Sequence, residues 1–126
     1  MSREIISTEL APAAIGPYSQ GIRANGMVYV SGQGGLVPGS KQFVGETVAE
    51  QTAQTLRNIQ AILEAGGSDL AHVVKVTVLL ADIETFAEMN EVYAEYFTVN
   101  PPGRTTVGVS ALPAGAQVEI TVTALE

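Results

Sequence analysis

The sequence predicts an α+β fold, a mixed β-sheet with two helices packed on one face, and three observations carry that prediction. Asn25-Gly26 sits between two alternating segments, as a two-residue hairpin turn requires. Two stretches, starting near Thr47 and Ile83, repeat apolar residues at helical spacing. Each is followed by an alternating run of β-branched residues, so strand and helix alternate along the chain.

Composition sets the bounds. With 126 residues, 46% hydrophobic and 15% charged, the chain can bury a core without staples and reads as one domain, 1–126. Six Lys and Arg against thirteen Asp and Glu give a net charge of −7, which repels phosphate backbones and anionic membranes. Neither nucleic acid nor membrane is expected as a partner. No basic start precedes an apolar run and no long apolar stretch occurs, so a cytoplasmic location is expected. The absence of cysteine excludes disulfides, thiolate ligands and a cysteine nucleophile.

The hairpin fixes a register in which Ala24 faces Met27, Ile22 faces Tyr29, Gln20 faces Ser31 and Tyr18 faces Gln33, all on one face. Tyr18, Ser31 and Gln33 then gather at the open end, either as a polar cluster or as an end that frays into solvent. Residues 34–46 are rich in Gly and Pro and read as a loop with room for a short strand, without a phosphate-cradling glycine motif. Thr47 and Glu50 form a capping box, after which Val48, Thr52, Leu56, Ile59 and Leu63 make a core stripe that stops at Gly66-Gly67. Arg57 and Glu64 fall on the solvated side.

In the strand from Val73 to Leu80, Val74, Val76, Val78 and Leu80 are expected on the core face, with Lys75 and Thr77 opposite. His72, alone before it, reads as a surface or capping residue, and no metal site follows from its spacing. The second helix is expected from Ile83 to Phe97, capped by Asp82 or by Thr85 with Glu88. Its buried stripe is Phe86, Met89, Tyr93, Tyr96 and Phe97, while Glu84, Glu88, Glu91 and Glu95 face water. Asn90 lies on the stripe margin, as a satisfied edge residue or as a donor to something outside the core.

Strands joined through helices run parallel, so segments near 28–32, 73–80 and 104–110 should share a direction, with 118–125 antiparallel. The helix face then receives Val107, Val109, Val118, Ile120 and Val122. The other face carries Lys75, Thr77, Thr106, Gly108, Ser110, Glu119, Thr121 and Thr123, small and semi-polar residues suited to packing against further subunits of a symmetric homo-oligomer. Arg104 and Glu119 are lone opposite charges on these last strands. Strand direction separates them by roughly 10 Å or more in one subunit, so they are expected to meet only across a subunit boundary.

GRTTVGVSALPAGAQVEITVTAL resembles the C-terminal signature of the reactive intermediate deaminase A family (RidA/YjgF/UK114), and GPYSQG, VSGQ and FAEMNEVYAEYF match it too. The resemblance covers nearly the whole chain. It implies a chorismate-mutase-like fold, homotrimers with active sites between subunits, and hydrolysis of 2-imino and enamine acids to 2-keto acids and ammonia. Typical substrates, of the 2-aminoacrylate and 2-iminopropionate type, are released by pyridoxal-phosphate dehydratases, whose class their removal protects. The positions it carries over are Arg104, Glu119, Tyr18, Ser31 and Asn90. The family often has cysteine where this chain has Thr106, which is counted with the substrate-binding residues.

The residues suit that chemistry. A guanidinium grips a carboxylate through two parallel hydrogen bonds, which makes Arg104 the anchor. Glu119 can orient a water and accept its proton, while Tyr18, Ser31 and Asn90 line the pocket. No metal or cofactor is required. A non-enzymatic metabolite-binding or regulatory member of the same fold is the alternative. Ribonuclease activity, attributed to relatives, is disfavoured by the charge and the single histidine, and chorismate mutase by the scatter of Arg3, Arg23 and Arg57.

Overall fold

The computed structural model describes residues 2–126. A short strand that the sequence pattern did not reveal, β1 (Glu4–Ile6), pairs antiparallel with β2 (Gly21–Ala24). Only Ile6 of β1 enters the core, and an Arg23–Glu4 ion pair at 2.6 Å secures the pairing. The turn after β2 has positive φ at both central residues, 54° at Asn25 and 73° at Gly26. It leads into β3 (Met27–Gln33) with Ala24 opposite Met27 and Ile22 opposite Tyr29, as expected.

The next element is α1 (Val48–Ala65), opened by the reciprocal Thr47–Glu50 capping box. All five residues of its expected stripe are buried, and the chain leaves the helix through Gly67 at φ 83°. β4 (Val73–Leu80) follows, then a single 3₁₀ turn over Ile83–Thr85 and α2 (Phe86–Tyr96). Asp82, not Thr85, supplies the cap, accepting from the Glu84 N–H at 3.0 Å. Glu88 closes no box and instead accepts from the Ala49 N–H at the start of α1, which ties the two helices. His72 is exposed and pairs with Asp69 at 2.6 Å, the surface role its isolation implied.

With β5 (Gly103–Gly108) and β6 (Val118–Leu125) the sheet reads β1-β2-β3-β6-β4-β5. β6 lies antiparallel between β3 and β4, and β4 and β5 are parallel, so β3, β4 and β5 share the expected direction. Both helices cover one face, where Val28, Val76, Val78, Ile120 and Val122 meet Leu56, Ile59, Leu63 and Met89. Among the described residues no helix is long and apolar enough to cross a membrane.

Three expectations about faces fail, the first two for one shared reason. Strand alternation survives only until a bulge inserts a residue, after which every side chain changes side. Between Val30 and Gln33 the β3–β6 register shifts, so Gln33 is buried and does not continue the Tyr18–Ser31 face. Between Val73 and Lys75 the β4–β6 register shifts too, placing Val73 in the core and leaving Val74 43% exposed.

The third failure concerns β5. Arg104, Thr106 and Gly108 register with core-facing Val76, Val78 and Leu80, and parallel partners share a face. Arg104 and Thr106 therefore look toward the helices. Thr105 and Val107 take the open face, with Val107 42% exposed, and Lys75 donates to Thr105 Oγ1 at 2.9 Å. Val109 and Ser110 lie beyond the strand. The inversion is possible because β5 is an edge strand lying under the aromatic side chains of α2, which receive a guanidinium as well as a valine. Phe86 accordingly stays 39% exposed instead of joining the buried stripe.

Candidate active site

The β3 bulge builds the first part of the site. At Ser31-Gly32 the chain opens toward Glu119 on β6, and Tyr18, Ser31, Gly32, Phe43, Pro113 and Glu119 line a cleft of about 430 Å³. Three of the residues expected in the site are thereby brought together. Ser31 Oγ donates to the Ser19 carbonyl at 2.6 Å, and Tyr18 Oη accepts from the Ile15 N–H at 3.3 Å. Both bonds fold the segment before β2 against the cleft.

Gly32 is needed for close approach. A Cβ there would stand 2.7 Å from Glu119 Oε2, so the carboxylate occupies the space a side chain would take.

Buried amides hold the walls, and of these the sequence reading named only Gln20 and gave it no buried role. Asn58 Nδ2 donates to the Gly34 and Leu36 carbonyls at 3.1 and 2.9 Å, and its Oδ1 accepts from Gln54 Nε2 at 2.8 Å. Gln51 donates to the Gly45 carbonyl at 2.9 Å and accepts from the Gln117 N–H at 2.8 Å, just before Glu119. Gln20 binds the Thr8 N–H at 2.7 Å and the Pro12 carbonyl at 2.7 Å, fixing the arm that leads to Tyr18. Their signal was present: amides at 51, 54 and 58 follow helical spacing beside the apolar stripe, where a buried amide must find backbone partners.

Arg104 lies elsewhere. Its guanidinium carbon is 4.6 Å from the Tyr93 ring centroid and 5.5 Å from that of Phe86. Among the described residues no carboxylate pairs with it. Asn90 is half-buried on the same side of α2, four residues after Phe86 and three before Tyr93. Thr106 Oγ1 and Tyr93 Oη are both buried without a hydrogen-bond partner. Burial pushes the Tyr93 phenol above its ordinary pKa, with the positive charge of Arg104 acting in the opposite direction.

The expected residues thus form two groups on opposite faces of the sheet. Tyr18, Ser31 and Glu119 share the cleft, whereas Arg104, Asn90 and Thr106 belong to the α2–β5 side. Glu119 registers through Leu79 with Val107, so Arg104 is three residues further along and two strands away. Within one chain the two charges do not meet, and the opposite faces add to the separation expected from strand direction. Among the described residues no group of three or more His, Asp or Glu side chains is placed to hold a metal.

A mixed sheet with helices on one face and a carboxylate-bearing cleft at a bulge on the other defines a small α+β protein with a candidate site in that cleft. The chain belongs to the family described as endoribonuclease L-PSP, whose model matches residues 8–126, and the RidA/YjgF resemblance holds across its length. It is 48% identical over 124 residues to human 2-iminobutanoate/2-iminopropanoate deaminase, covering 98% of this chain and 90% of that protein. It is 50% identical over 120 residues to the chloroplastic Reactive Intermediate Deaminase A of Arabidopsis thaliana, covering 95% of this chain but 64% of that protein. The crystal structure of RidA from the Antarctic bacterium Psychrobacter sp. PAMC 21119 superposes with a TM-score of 0.94 at 40% identity, covering 98% of this chain and 99% of that one.

Proposed function

We propose that the chain is a deaminase that hydrolyses 2-imino and enamine acids of the 2-aminoacrylate and 2-iminopropionate type to 2-keto acids and ammonia. One observation carries the reading: a carboxylate, Glu119, lines an open cleft with Tyr18 and Ser31, while Arg104 has no carboxylate partner among the described residues. An unpaired, half-buried guanidinium is suited to a ligand carboxylate. The names of relatives at about half identity support the same chemistry.

The steps follow from the groups present. Arg104 binds the substrate carboxylate and fixes its plane, and Glu119 orients a water against the imine carbon and takes its proton as the C–O bond forms. That proton passes to the nitrogen to give a carbinolamine; the new hydroxyl then yields its own proton to the amine, the C–N bond breaks, and ammonia leaves as the hydroxyl oxygen becomes the keto oxygen. Asn90, Tyr18, Ser31 and Thr106 offer hydrogen bonds around the substrate. Imines hydrolyse unaided in water, so positioning plus one general base, worth roughly 10²–10⁴, is sufficient.

Because Arg104 and Glu119 lie on opposite faces of one sheet, each site of the proposed enzyme is shared by neighbouring subunits, and the family resemblance makes that assembly a homotrimer. A cytoplasmic location belongs to the same proposal. The net charge of −7 opposes a polyanionic substrate, and His72, the single histidine, is paired with Asp69 at the surface, which weighs against RNA cleavage.

The test is the decay of 2-iminopropionate generated in situ by an amino-acid oxidase. Wild type should outpace buffer and Arg104→Ala should not. No acceleration by wild type, or an unchanged rate in Arg104→Ala, ends the deaminase reading.

A further inference from the structure

An arginine that must present its N–H fork to a ligand has to be held without using that fork. A carboxylate partner would hold it but would occupy the same edge of the guanidinium that a substrate carboxylate needs. Arg104 has instead two aromatic neighbours, at 4.6 Å for Tyr93 and 5.5 Å for Phe86. A ring contacts the flat face of a guanidinium and leaves its in-plane donors pointing outward. The two rings differ in rigidity. Tyr93 is 6% exposed and packs on Phe97 with centroids 4.7 Å apart, so it is a fixed platform. Phe86, 39% exposed at the first residue of α2, is an apolar ring left in water. Contact with Arg104 gives that ring a role that core packing does not.

We infer that Tyr93 and Phe86 are positioning residues for Arg104: they hold its guanidinium by the face so that its edge is free for the substrate carboxylate. This rests on the reading of Arg104 as carboxylate anchor. Tyr93 acts through ring area and rigidity, so phenylalanine can replace it. Lysine cannot replace Arg104, because an ammonium has no plane to stack and no fork to present.

The test uses the full chain and two readouts, binding of pyruvate as the carboxylate probe and steady-state hydrolysis of 2-iminopropionate. Tyr93→Leu should weaken pyruvate binding and raise KM about tenfold, with kcat nearly unchanged, and Phe86→Leu should give a smaller rise of about two- to threefold. Tyr93→Phe should restore wild-type values. The Arg104 side-chain protons should show aromatic ring-current shifts in wild type and Tyr93→Phe that are lost in Tyr93→Leu, a signature that general loosening does not mimic. Should Tyr93→Leu fail to fold, exposed Phe86→Leu carries the same measurements. Wild-type pyruvate affinity in a folded Tyr93→Leu, or ring-current shifts absent from wild type, overturns the inference. If wild type binds pyruvate yet does not hydrolyse the imine, the deaminase reading falls while the binding and shift measurements still decide the role of the two rings.

Discussion

Glu119 and Arg104 are supported in opposite ways. Glu119 sits on the central strand β6, in a space that a missing side chain at Gly32 leaves open, with walls fixed by hydrogen bonds from buried amides of α1. Arg104 sits on the edge strand β5, supported by ring faces. On the proposed mechanism, a directional network suits Glu119, which would aim a water. Ring contacts suit Arg104, whose donor edge would then be free for a charged ligand. The difference teaches that one chain supplies two separately supported halves, on opposite faces of the sheet, and neither half completes the proposed reaction alone.

The widest break in that comparison comes from separating the halves genetically. Arg104→Ala and Glu119→Gln should each remove imine hydrolysis. Co-expressed in equal amounts with different tags, they should recover about a quarter of wild-type activity, because random assembly then pairs an intact Arg104 with a neighbour's intact Glu119 in about one site in four. Activity that stays absent in co-purified mixed oligomers would put the complete site within one chain.

That separation was only partly legible in the sequence. The hairpin register, the capped α1 and the directions of β3, β4, β5 and β6 were readable, since each follows from local turn chemistry or sustained periodicity. The closeness of Tyr18 and Ser31 was readable from the same register, although Gln33 was wrongly counted with them, and Glu119 was joined to them only through the family motifs, in one set with Arg104 and Asn90. The face of Arg104 was not. Val107 and Val109 were assigned inward as the more apolar residues, but on an edge strand under Phe86 and Tyr93 the inward position goes to a guanidinium. Bulges at Ser31-Gly32 and Val74 were equally hidden, because an inserted residue leaves composition unchanged while reversing all later parity. β1 was missed because three residues are too few to show alternation.

Gly32→Ala sharpens the contrast by disturbing only the Glu119 half. The added methyl would lie 2.7 Å from Oε2 and 3.0 Å from Cδ, and the flexible end of the glutamate can yield. The expected result is a fall in kcat of about tenfold, with stability changed by less than about 1 kcal/mol. Pyruvate affinity should stay at the wild-type value because Arg104 is untouched. A parallel loss of pyruvate binding would show that the halves are mechanically coupled, and unchanged kcat would detach Glu119 from the rate.

The smallest expected effect belongs to the other half and is read in alkali. Burial raises the Tyr93 phenol above its ordinary value near 10, and the Arg104 charge offsets part of that rise. A raised folded-state value means that the unfolded chain ionises first. The associated stability is therefore fully present below the unfolded phenol's pKa and lost as pH rises through the folded one. Of the four tyrosines, Tyr93 should ionise late in an ultraviolet titration, and Tyr93→Phe should remove that late step and flatten the alkaline decline in thermal stability. If a late step instead persists in Tyr93→Phe, it does not belong to this phenol, and the ring is not the fixed platform on which Arg104 rests.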